Sequence, residues 1–507
     1  MSQEHLFSLK SMIALKEYMG EGIVFQLFDI RKFFDHESLR DVMDTLHDVD
    51  IDEKVYRAWY LMSRNTRISV KTGTGMTAKA DVGEVIGQGT VGGALASQVN
   101  IDRGINRYFC GSVDEIHYGS IRFQPLVFQD DVARMASDLR AAQAGNSKLS
   151  FVMKEKQLKV HPDKTGFITI GTKDFQEKMA RETKEYPVMF GDINVKCKVA
   201  DKYLGDMIHQ DGLAASVQAT ISDRMGRITA ATHEIKAVLD DFRLQAVGGM
   251  MGAWDLWNMA VVPSLMNNCS TWIGISSKLV ESLESTQERY VRLMLEVPVS
   301  TPKIALRAET GLMSMKHRIW NEKVNLVMSL KRSKEGLAKQ VYQEQLQYGW
   351  PGLAVEVKEI CEKIGVPDAN MNHLTKKGLS QALRNHDKEE MVQKMTDNYK
   401  KLDKIKLDDP TIAKEYMERK SLADCRLVFR MRTEMINLKD NMKNMYKGAS
   451  INCDACDMEV AESQTHVMSC PGYSELRVGK DMGKDGDLVA YFRDVLKIRE
   501  KRKMRKI

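Results

Sequence analysis

Two short apolar runs in this chain each end in acidic side chains, and this pattern constrains the fold more than any other feature. The run IVFQLF (23–28) is followed by Asp29, and LVFQ (126–129) is followed by Asp130 and Asp131. Adjacent carboxylates repel each other and do not belong in a core, so a solvent-exposed hairpin tip is one interpretation. If the two runs are neighbouring strands of one sheet, the three carboxylates meet at its edge. Two Mg²⁺ ions about 3.5–4 Å apart would relieve that repulsion and clamp the attacking and leaving oxygens of a phosphoryl transfer.

The strand signals are confined to the N-terminal part of the chain. Up to about residue 210 strand and helix patterns alternate, whereas helical periodicity dominates afterwards. The sequence therefore predicts an α+β domain followed by a long helical region. Besides the two apolar runs, we predict helices at 36–49, 54–65, 91–109 and, with a break near AGNS, 134–158, a β-hairpin at 67–87, and short strands at 166–171 and 203–208.

The composition is ordinary for a globular protein, with 507 residues, 43% hydrophobic, 28% charged and a formal net charge of +6. No apolar run approaches the roughly 18–20 residues that span a bilayer, and the N-terminus has no signal-peptide pattern. We therefore expect an intracellular protein without a membrane partner. The last eleven residues, KIREKRKMRKI, include seven basic ones, which is typical of a solvated tail, a nuclear address or a phosphate contact.

Four residues near the C-terminus have the spacing of a metal site. Cys453, Cys456, His466 and Cys470 follow the pattern C-x2-C-x9-H-x3-C. One Cys-x-x-Cys turn can donate two thiolates to one ion, and a His and a Cys four residues apart on a helical turn face the same side. Four nitrogen and sulfur ligands suit tetrahedral Zn²⁺ in a closed, structural site. The alternative is a set of free thiols and a surface histidine.

Five motifs follow one another along the N-terminal part of the chain: FDIRKFFD (28–35), GQGTVGGALAS (87–97), FQDD (128–131), HPDKTGF (161–167) and KYLGD (202–206). This succession resembles the palm motifs of reverse transcriptases, most closely those of non-LTR (LINE-type) retrotransposons. The cysteine–histidine group resembles a module near the C-terminus of the same proteins. The resemblance implies a reverse-transcriptase-like palm, which is an antiparallel sheet with helices, then a mostly α-helical thumb and linker region, and the zinc module.

The resemblance also implies roles for the acidic residues and for one aromatic ring. Asp29 and Asp130 would hold the two Mg²⁺ ions, with Asp131 as the auxiliary acid. Phe34 would sit at the steric-gate position, where an aromatic ring leaves no room for a ribose 2′-OH and selects deoxynucleotides. The alternative for Phe34 is a core phenylalanine.

The resemblance implies further roles for residues of the remaining motifs. Gln88 and Gly89 would form the loop that approaches the templating base and the incoming nucleotide, since glycine lets the backbone come close; the alternative is an ordinary turn. Lys164 would stabilise or protonate the leaving pyrophosphate; the alternative is a surface lysine. The segment YLG (203–205) would belong to the primer-grip hairpin, or otherwise to a plain buried strand.

The sequence departs from the family pattern at several points. The usual Gln-Gly-x-x-x-Ser-Pro ends here in Gly93 and Ala94, and the usual Ala-Asp-Asp begins with Gln129. Only 28 residues precede Asp29, too few for the fingers subdomain that grips the triphosphate, and no room is left for an endonuclease. We therefore expect a truncated element copy that extends primers inefficiently by itself, with a separate chain as another source of fingers or endonuclease.

Taken together, the resemblance implies an RNA-directed DNA polymerase that uses an RNA template, a DNA primer, dNTPs and two Mg²⁺, and that carries Zn²⁺. The alternative is a non-catalytic nucleic-acid-binding remnant of a retroelement protein. The nucleus, as the site of integration, is the expected compartment, with the cytoplasm as the alternative. The implied domains are a palm at 1–212, a thumb-like region at 213–300, a helical linker region at 301–445, a zinc-knuckle-like module at 446–480 and a basic tail at 481–507.

Overall fold

The computed structural model describes most of the chain, namely residues 2–64, 67–81, 92–110, 116–240, 249–367, 373–398, 409–419, 421–442 and 450–504. The chain divides into two units. The first contains Met1–Asp223, Asn268–Ser276 and Lys323–Ile360, and the second contains Arg224–Asn267, Ser277–Glu322 and Cys361–Ile507. Within the described ranges, every helix is too short or too polar to cross a membrane.

Strands and helices alternate in the N-terminal part, and helices predominate later. The strands are β1 (Ile23–Asp29), β2 (Arg67–Ile68), β3 (Lys71–Thr72), β4 (Gly75–Met76), β5 (Ala80–Asp81), β6 (Ile116–Tyr118), β7 (Ile121–Phe123), β8 (Leu126–Phe128), β9 (Asp131–Ala136), β10 (Gly166–Ile170), β11 (Met189–Phe190), β12 (Ile193–Asn194), β13 (Lys196–Cys197), β14 (Ala200–Tyr203) and β15 (Asp206–His209).

The helices are α1 (Ser2–Met19), α2 (Phe33–His36), α3 (Leu39–Asp48), α4 (Glu53–Ser63), α5 (Gly93–Phe109), α6 (Leu139–Glu155), α7 (Lys173–Glu185), α8 (Gly212–Asp240), α9 (Gly249–Leu256), α10 (Val262–Met266), α11 (Ser277–Leu295), α12 (Lys303–Thr310), α13 (Met315–Arg332), α14 (Leu337–Tyr348), α15 (Leu353–Lys363), α16 (Lys376–Asn398), α17 (Tyr416–Arg419), α18 (Leu422–Arg432), α19 (Lys439–Met442), α20 (Gln464–Ser469) and α21 (Asp485–Met504). A π-helical turn (Trp257–Val261) joins α9 to α10, and 3₁₀ turns lie at Cys269–Thr271 and Pro471–Arg477. The α+β class predicted from the sequence is confirmed.

A five-stranded sheet with the order β13-β10-β1-β9-β8 forms the centre of the first unit. Its middle strand, β1, pairs antiparallel with both β10 and β9. The six residues 23–28 of β1 are all buried, so both faces of the strand are covered. A strand buried on both faces reads as a continuous apolar run rather than an alternating one, which explains the IVFQLF segment.

Helix α1 lies in the core of the first unit. Ten consecutive residues of it, Leu6 to Leu15, are buried, and it packs against α14 and the Cys269–Thr271 turn. Lys10 is only 1% exposed, and its ammonium donates to Asp206 Oδ2 at 2.5 Å and to Thr271 Oγ1 at 3.0 Å. A buried charge is tolerated when it is paired and hydrogen-bonded, so this pair ties α1 to the start of β15.

Residues 134–158 differ from the prediction of a mostly helical segment with a break near AGNS. Their first residues belong to strand β9, and α6 then runs without a break through Gly145. A Cβ atom on Gly145 would lie 1.8 Å from Cζ of Arg134. The glycine therefore makes room for a buried guanidinium instead of ending the helix.

Arg134 explains why β9 escaped the sequence prediction. Arginine is unusual inside a central strand, yet this side chain is 4% exposed. Its Nη1 donates to Gln26 Oε1 at 2.9 Å and to the Ala142 carbonyl at 3.1 Å, and its Nη2 donates to the Ala141 carbonyl at 2.8 Å. These partners are distant in sequence or lie on the following helix, so the local sequence pattern does not predict them.

Residues 203–208, predicted as one short strand, contain the last residue of β14, a two-residue turn and the first three residues of β15. Leu204 and Gly205 have φ values of 47° and 90°, and a positive φ at both central residues is the requirement of a two-residue type I′ turn. Tyr203 pairs across this turn with Asp206. The YLG segment therefore lies in a hairpin, and its role in holding a primer stays a prediction.

The C-terminal part of the second unit has its own core. Leu427 and Ile436 share it with Cys453, Cys470 and Tyr473. Helix α21, within the segment predicted to be a basic tail, adds Tyr491, Phe492 and Val495, each 0% exposed. The cysteine module and the first turns of α21 are thus packed together, while the predicted domain boundaries stay a prediction.

Candidate functional site

Three carboxylates lie at one end of the central sheet of the first unit. Asp29 ends β1 and Asp131 begins β9, and the two residues stand directly opposite each other in the antiparallel register. Asp130 occupies the turn between β8 and β9, and its carbonyl accepts the N–H of Ile30 at 2.9 Å. Residues far apart in sequence converge here because β1 and β9 are neighbours. The structure thus brings together the three acidic residues, while their catalytic role stays a prediction.

The turn that carries Asp130 is held by Gln98 of α5. Gln98 Oε1 accepts the N–H of Gln129 at 2.9 Å, and Gln98 Nε2 donates to the carbonyl of Val127 at 2.8 Å. Gln129 has a φ of 57°, a left-handed conformation that is uncommon for a residue other than glycine. Sequence reasoning missed Gln98, since a glutamine within a helix gives no local sign that it clamps a distant turn.

Lys164 reaches the carboxylates from the loop between α6 and β10. Ile30 and Val160 form an isolated β-bridge, and the N–H of His161 donates to the Asp29 carbonyl at 2.7 Å, so this loop is fastened to the end of β1. Lys164 Nζ then donates to Asp29 Oδ2 at 3.0 Å and to Oδ1 at 3.3 Å. The Lys164 side chain is 62% exposed, so its ammonium can turn toward another anion at the surface.

The electrostatics of the cluster show an excess of negative charge. Burial, and then the neighbouring charges of Asp130 and Asp29, raise the pKa of Asp131 to about 6. The hydrogen bond to Asp29 raises the pKa of Lys164, as expected for an ammonium beside carboxylates. Three carboxylates face one ammonium, and oxygen ligands of this kind are those that Mg²⁺ takes. The donor set therefore fits divalent cations.

The carboxylates are not drawn tightly together. Within the described part of the chain, the groups of side chains whose ligand atoms all lie within 4.8 Å of one another do not include these three aspartates. Binding of two ions would therefore require the side chains to rotate, with Asp29 exchanging its contact with Lys164 for a metal ion.

Of the three residues predicted to contact the nucleotide, the structure describes only Phe34. Phe34 lies on α2, half-buried, with its ring centroid 5.0 Å from that of Phe33, and packs against two core clusters. This position suits a partly buried core phenylalanine, and the steric-gate role stays a prediction. Gln88 and Gly89 lie outside the described residues.

Four ligand atoms converge in the C-terminal module, those of Cys453, Cys456, His466 and Cys470, all within 4.8 Å of one another. The sulfurs of Cys453 and Cys470 are 3.8 Å apart, and Cys456 Sγ lies 3.4 Å from His466 Nε2. Tetrahedral Zn²⁺, with Zn–S of about 2.3 Å and Zn–N of about 2.0–2.1 Å, gives S···S edges of about 3.8 Å and S···N edges of about 3.5 Å. The group could therefore hold zinc.

Local structure positions these ligands. The Ala455 N–H donates to Cys453 Sγ at 3.4 Å, and Ser463 caps α20 by accepting from the His466 N–H. A Cβ atom on Gly472 would lie 1.7 Å from the Ala455 carbonyl oxygen, so the loop after the last cysteine can close only with glycine. Burial raises the pKa of the Cys453 thiol to about 12, so metal binding must displace protons.

Three arginines that flank this module have partners within the second unit. Arg430 Nη2 donates to the carbonyl of Glu296, and Arg432 Nε donates to Glu309 Oε2 at 2.8 Å. Arg477 Nη1 donates to the carbonyl of Cys470 at 2.9 Å. These side chains link parts of the second unit together, so their guanidinium groups are partly occupied and less suitable as phosphate contacts.

Comparison with known proteins gives a distant structural similarity. No family model matches the sequence, and no curated protein matches it. The chain is similar to the structure of telomerase from Candida albicans in complex with a TWJ fragment of telomeric RNA, at a TM-score of 0.34 and 12% identity. The match covers 81% of this chain and 53% of that one, so the chain spans about half the length of that structure. A similarity this distant supports no functional statement by itself.

Proposed function

We propose that this protein is an RNA-directed DNA polymerase of the non-LTR retrotransposon type, which adds dNTP-derived nucleotides to a DNA primer on an RNA template. One observation carries the proposal: Asp29, Asp130 and Asp131 meet at the end of one sheet, and Lys164 contacts Asp29 there. The same residues fall, in order, within motifs that resemble those of reverse transcriptases. The alternative, an exposed hairpin tip, does not require that a third carboxylate and a lysine from two other segments lie beside Asp130 and Asp131.

The side chains at this site would have distinct roles, namely metal binding, charge stabilisation and positioning. Two Mg²⁺ ions, held by Asp29 and Asp130 with Asp131 as auxiliary acid, would supply Lewis-acid stabilisation of the phosphoryl oxygens. Lys164, released from Asp29, would stabilise the charge that develops on the pyrophosphate. Gln98 fixes the turn that carries Asp130, so it is a positioning residue and does not itself touch the reacting atoms.

The other parts would hold the nucleic acid. The helical region after the palm would act as a thumb along the primer–template duplex, and Phe34, Gln88 and Gly89 would contact the incoming nucleotide. Zinc in the C-terminal module would fix a folded surface there, on which exposed lysines such as Lys497 could meet phosphates. This function implies nuclear localisation, because the nucleus is the site of integration.

A single-turnover primer-extension experiment tests the proposal. The full chain, in molar excess over an RNA template with an annealed DNA primer, receives Mg²⁺ and one dNTP, so that even slow addition of one nucleotide is counted. We expect Asp130→Asn to lower the rate constant at least about 100-fold, because charge stabilisation at the transition state is worth several kcal/mol. Asp163→Asn is the matched control, since Asp163 is exposed on the Lys164 loop.

Binding measured on the same samples separates this proposal from its alternative. Asp130→Asn should bind primer–template as wild type does, since the second unit is unchanged. Wild-type protein that binds but never extends would favour a non-catalytic nucleic-acid-binding remnant, for which the intact cysteine–histidine group is the supporting observation. Extension that persists undiminished in Asp130→Asn would show that these carboxylates are not the catalytic site.

A further inference from the structure

A second cluster of metal-ligating side chains lies in the helical part of the second unit. It consists of His317 on α13 with His386 and Glu390 on α16, and their ligand atoms all lie within 4.8 Å of one another. The His317 Nε2 and His386 Nδ1 atoms are 2.9 Å apart, and His386 Nδ1 lies 3.9 Å from Glu390 Oε1. His386 and Glu390 are four residues apart on one helix, so they share a face.

The surroundings of His317 determine which ring nitrogen offers a lone pair. His317 Nδ1 lies 2.6 Å from Ser314 Oγ and 3.2 Å from Asp387 Oδ1. Arg307 Nη2 donates to both Asp387 oxygens at 2.7 Å, which holds that side chain as an acceptor. A proton on Nδ1 therefore satisfies the carboxylate, and Nε2 faces His386 with its lone pair. An aspartate behind a ligand histidine is the usual outer partner of such a ring.

The spacing of the donor atoms is near that of a small tetrahedral ion. Two nitrogens bound to Zn²⁺ at about 2.0–2.1 Å lie about 3.3 Å apart, so the two rings need to separate by only a few tenths of an ångström. His317 is 0% exposed, whereas the side chains of His386 and Glu390 are 18% and 32% exposed. The cluster is thus anchored at its buried end and reachable by solvent at the other, which leaves a fourth position for water.

Two nearby positive charges, those of Arg307 and Lys316, are already paired. Arg307 is paired with Asp387, and Lys316 Nζ contacts the two oxygens of Glu390 at 2.5 and 2.6 Å while lying 4.8 Å from the Trp320 ring centroid. A metal ion would take one oxygen of Glu390 and leave the other to Lys316. This competition lowers the affinity for the ion.

We propose that His317, His386 and Glu390 bind a transition-metal ion of the Zn²⁺ type, separate from the ion of the cysteine–histidine module. Two imidazoles, one carboxylate and a water are a donor set that Zn²⁺ accepts. The ion links α13 to α16, so its occupancy stiffens this helical region. The proposal does not depend on polymerase activity and is tested without it.

Cobalt substitution of the full chain provides the test. Protein stripped with a chelator is dialysed against Co²⁺ in an excess of Mg²⁺, which keeps cobalt from the carboxylates of Asp29, Asp130 and Asp131. It should hold two cobalt ions per chain, one with sulfur-to-cobalt charge transfer in the near ultraviolet and one without it. Glu390→Gln and His386→Ala should each lose one equivalent of cobalt while keeping the charge-transfer band. Glu389→Gln is the matched control, because Glu389 is the exposed neighbour of Glu390 on the same helix. This variant should keep two cobalt ions per chain.

Hydrogen exchange supplies a second measurement on the same proteins. Zn²⁺ should slow amide exchange in α16 at least tenfold in the wild type and in Glu389→Gln, and should leave Glu390→Gln unchanged. His317 is kept because its complete burial makes its replacement a risk to folding. A wild type that holds one cobalt ion per chain, or a Glu390→Gln variant that holds two, would overturn the proposal.

Discussion

The buried pair between Lys10 and Asp206 gives a quantitative test of how α1 is held. Lys10 and Asp206 are 1% and 0% exposed, and replacing Lys10 with methionine leaves a buried carboxylate that still accepts from Asn268 Nδ2 at 3.3 Å. Removal of one partner of a buried ion pair costs about 3–5 kcal/mol. We therefore expect Lys10→Met to speed hydrogen exchange in α1 by about 100-fold to 4000-fold, since each 1.4 kcal/mol of local stability is worth a factor of about ten.

Hydrogen exchange read on peptides from residues 2–19 is the appropriate assay, because a chain of two units does not give a single unfolding free energy. Lys16→Met is the matched control. It removes the same kind of cation from the same helix, but its partner Glu21 is 53% exposed, so the expected change is about 0–1 kcal/mol.

Two results decide whether the reasoning about burial is correct. Adding Asp206→Asn to Lys10→Met should restore at least about 2 kcal/mol of the lost protection, because the buried side chain that lost its ammonium partner is then neutral. Equal effects of Lys10→Met and Lys16→Met, within about threefold, would refute the assignment of α1 to the core of the first unit.

Three further predictions concern stability and metal binding. Burial raises the pKa of Asp102 from 3.8 to about 6, so its charged form destabilises the fold above that pH. Asp102→Asn should therefore slow hydrogen exchange in α5 by up to about 100-fold at pH 8, which corresponds to about 3 kcal/mol, and should change it little at pH 4. Cys456→Ser, or a zinc chelator, should abolish the slow hydrogen exchange of segment 451–472, because ligand binding and folding are coupled there. Gly472→Ala should cost at least about 2 kcal/mol and weaken zinc retention, since its Cβ would meet the Ala455 carbonyl at 1.7 Å.

The sequence predicts those parts of the fold whose causes are local. The run 23–28 is apolar except for Gln26 because β1 is buried on both faces, and the C-x2-C spacing identifies Cys453 and Cys456 without any structure. By contrast, β9 contains Arg134, whose burial depends on Gln26 across the sheet and on a glycine in the next helix. A local pattern cannot contain such partners.

The same limit applies to the sites. His386 and Glu390 are four residues apart in the sequence, yet the third residue of their cluster, His317, lies 69 residues before His386. Gln98 acts on a turn 31 residues later. Long-range contacts of this kind are set by packing, so they become visible only when the elements are assembled.

Metal-dependent extension of an RNA-templated primer tests the central claim most directly. Under single-turnover conditions with Mg²⁺ and the complementary dNTP, the account predicts addition of a nucleotide by the wild type and by Asp163→Asn. It predicts at least about 100-fold slower addition by Asp130→Asn and Asp29→Asn at unchanged primer–template binding. Tight binding with no addition by the wild type, or equal rates in wild type and Asp130→Asn, would contradict it.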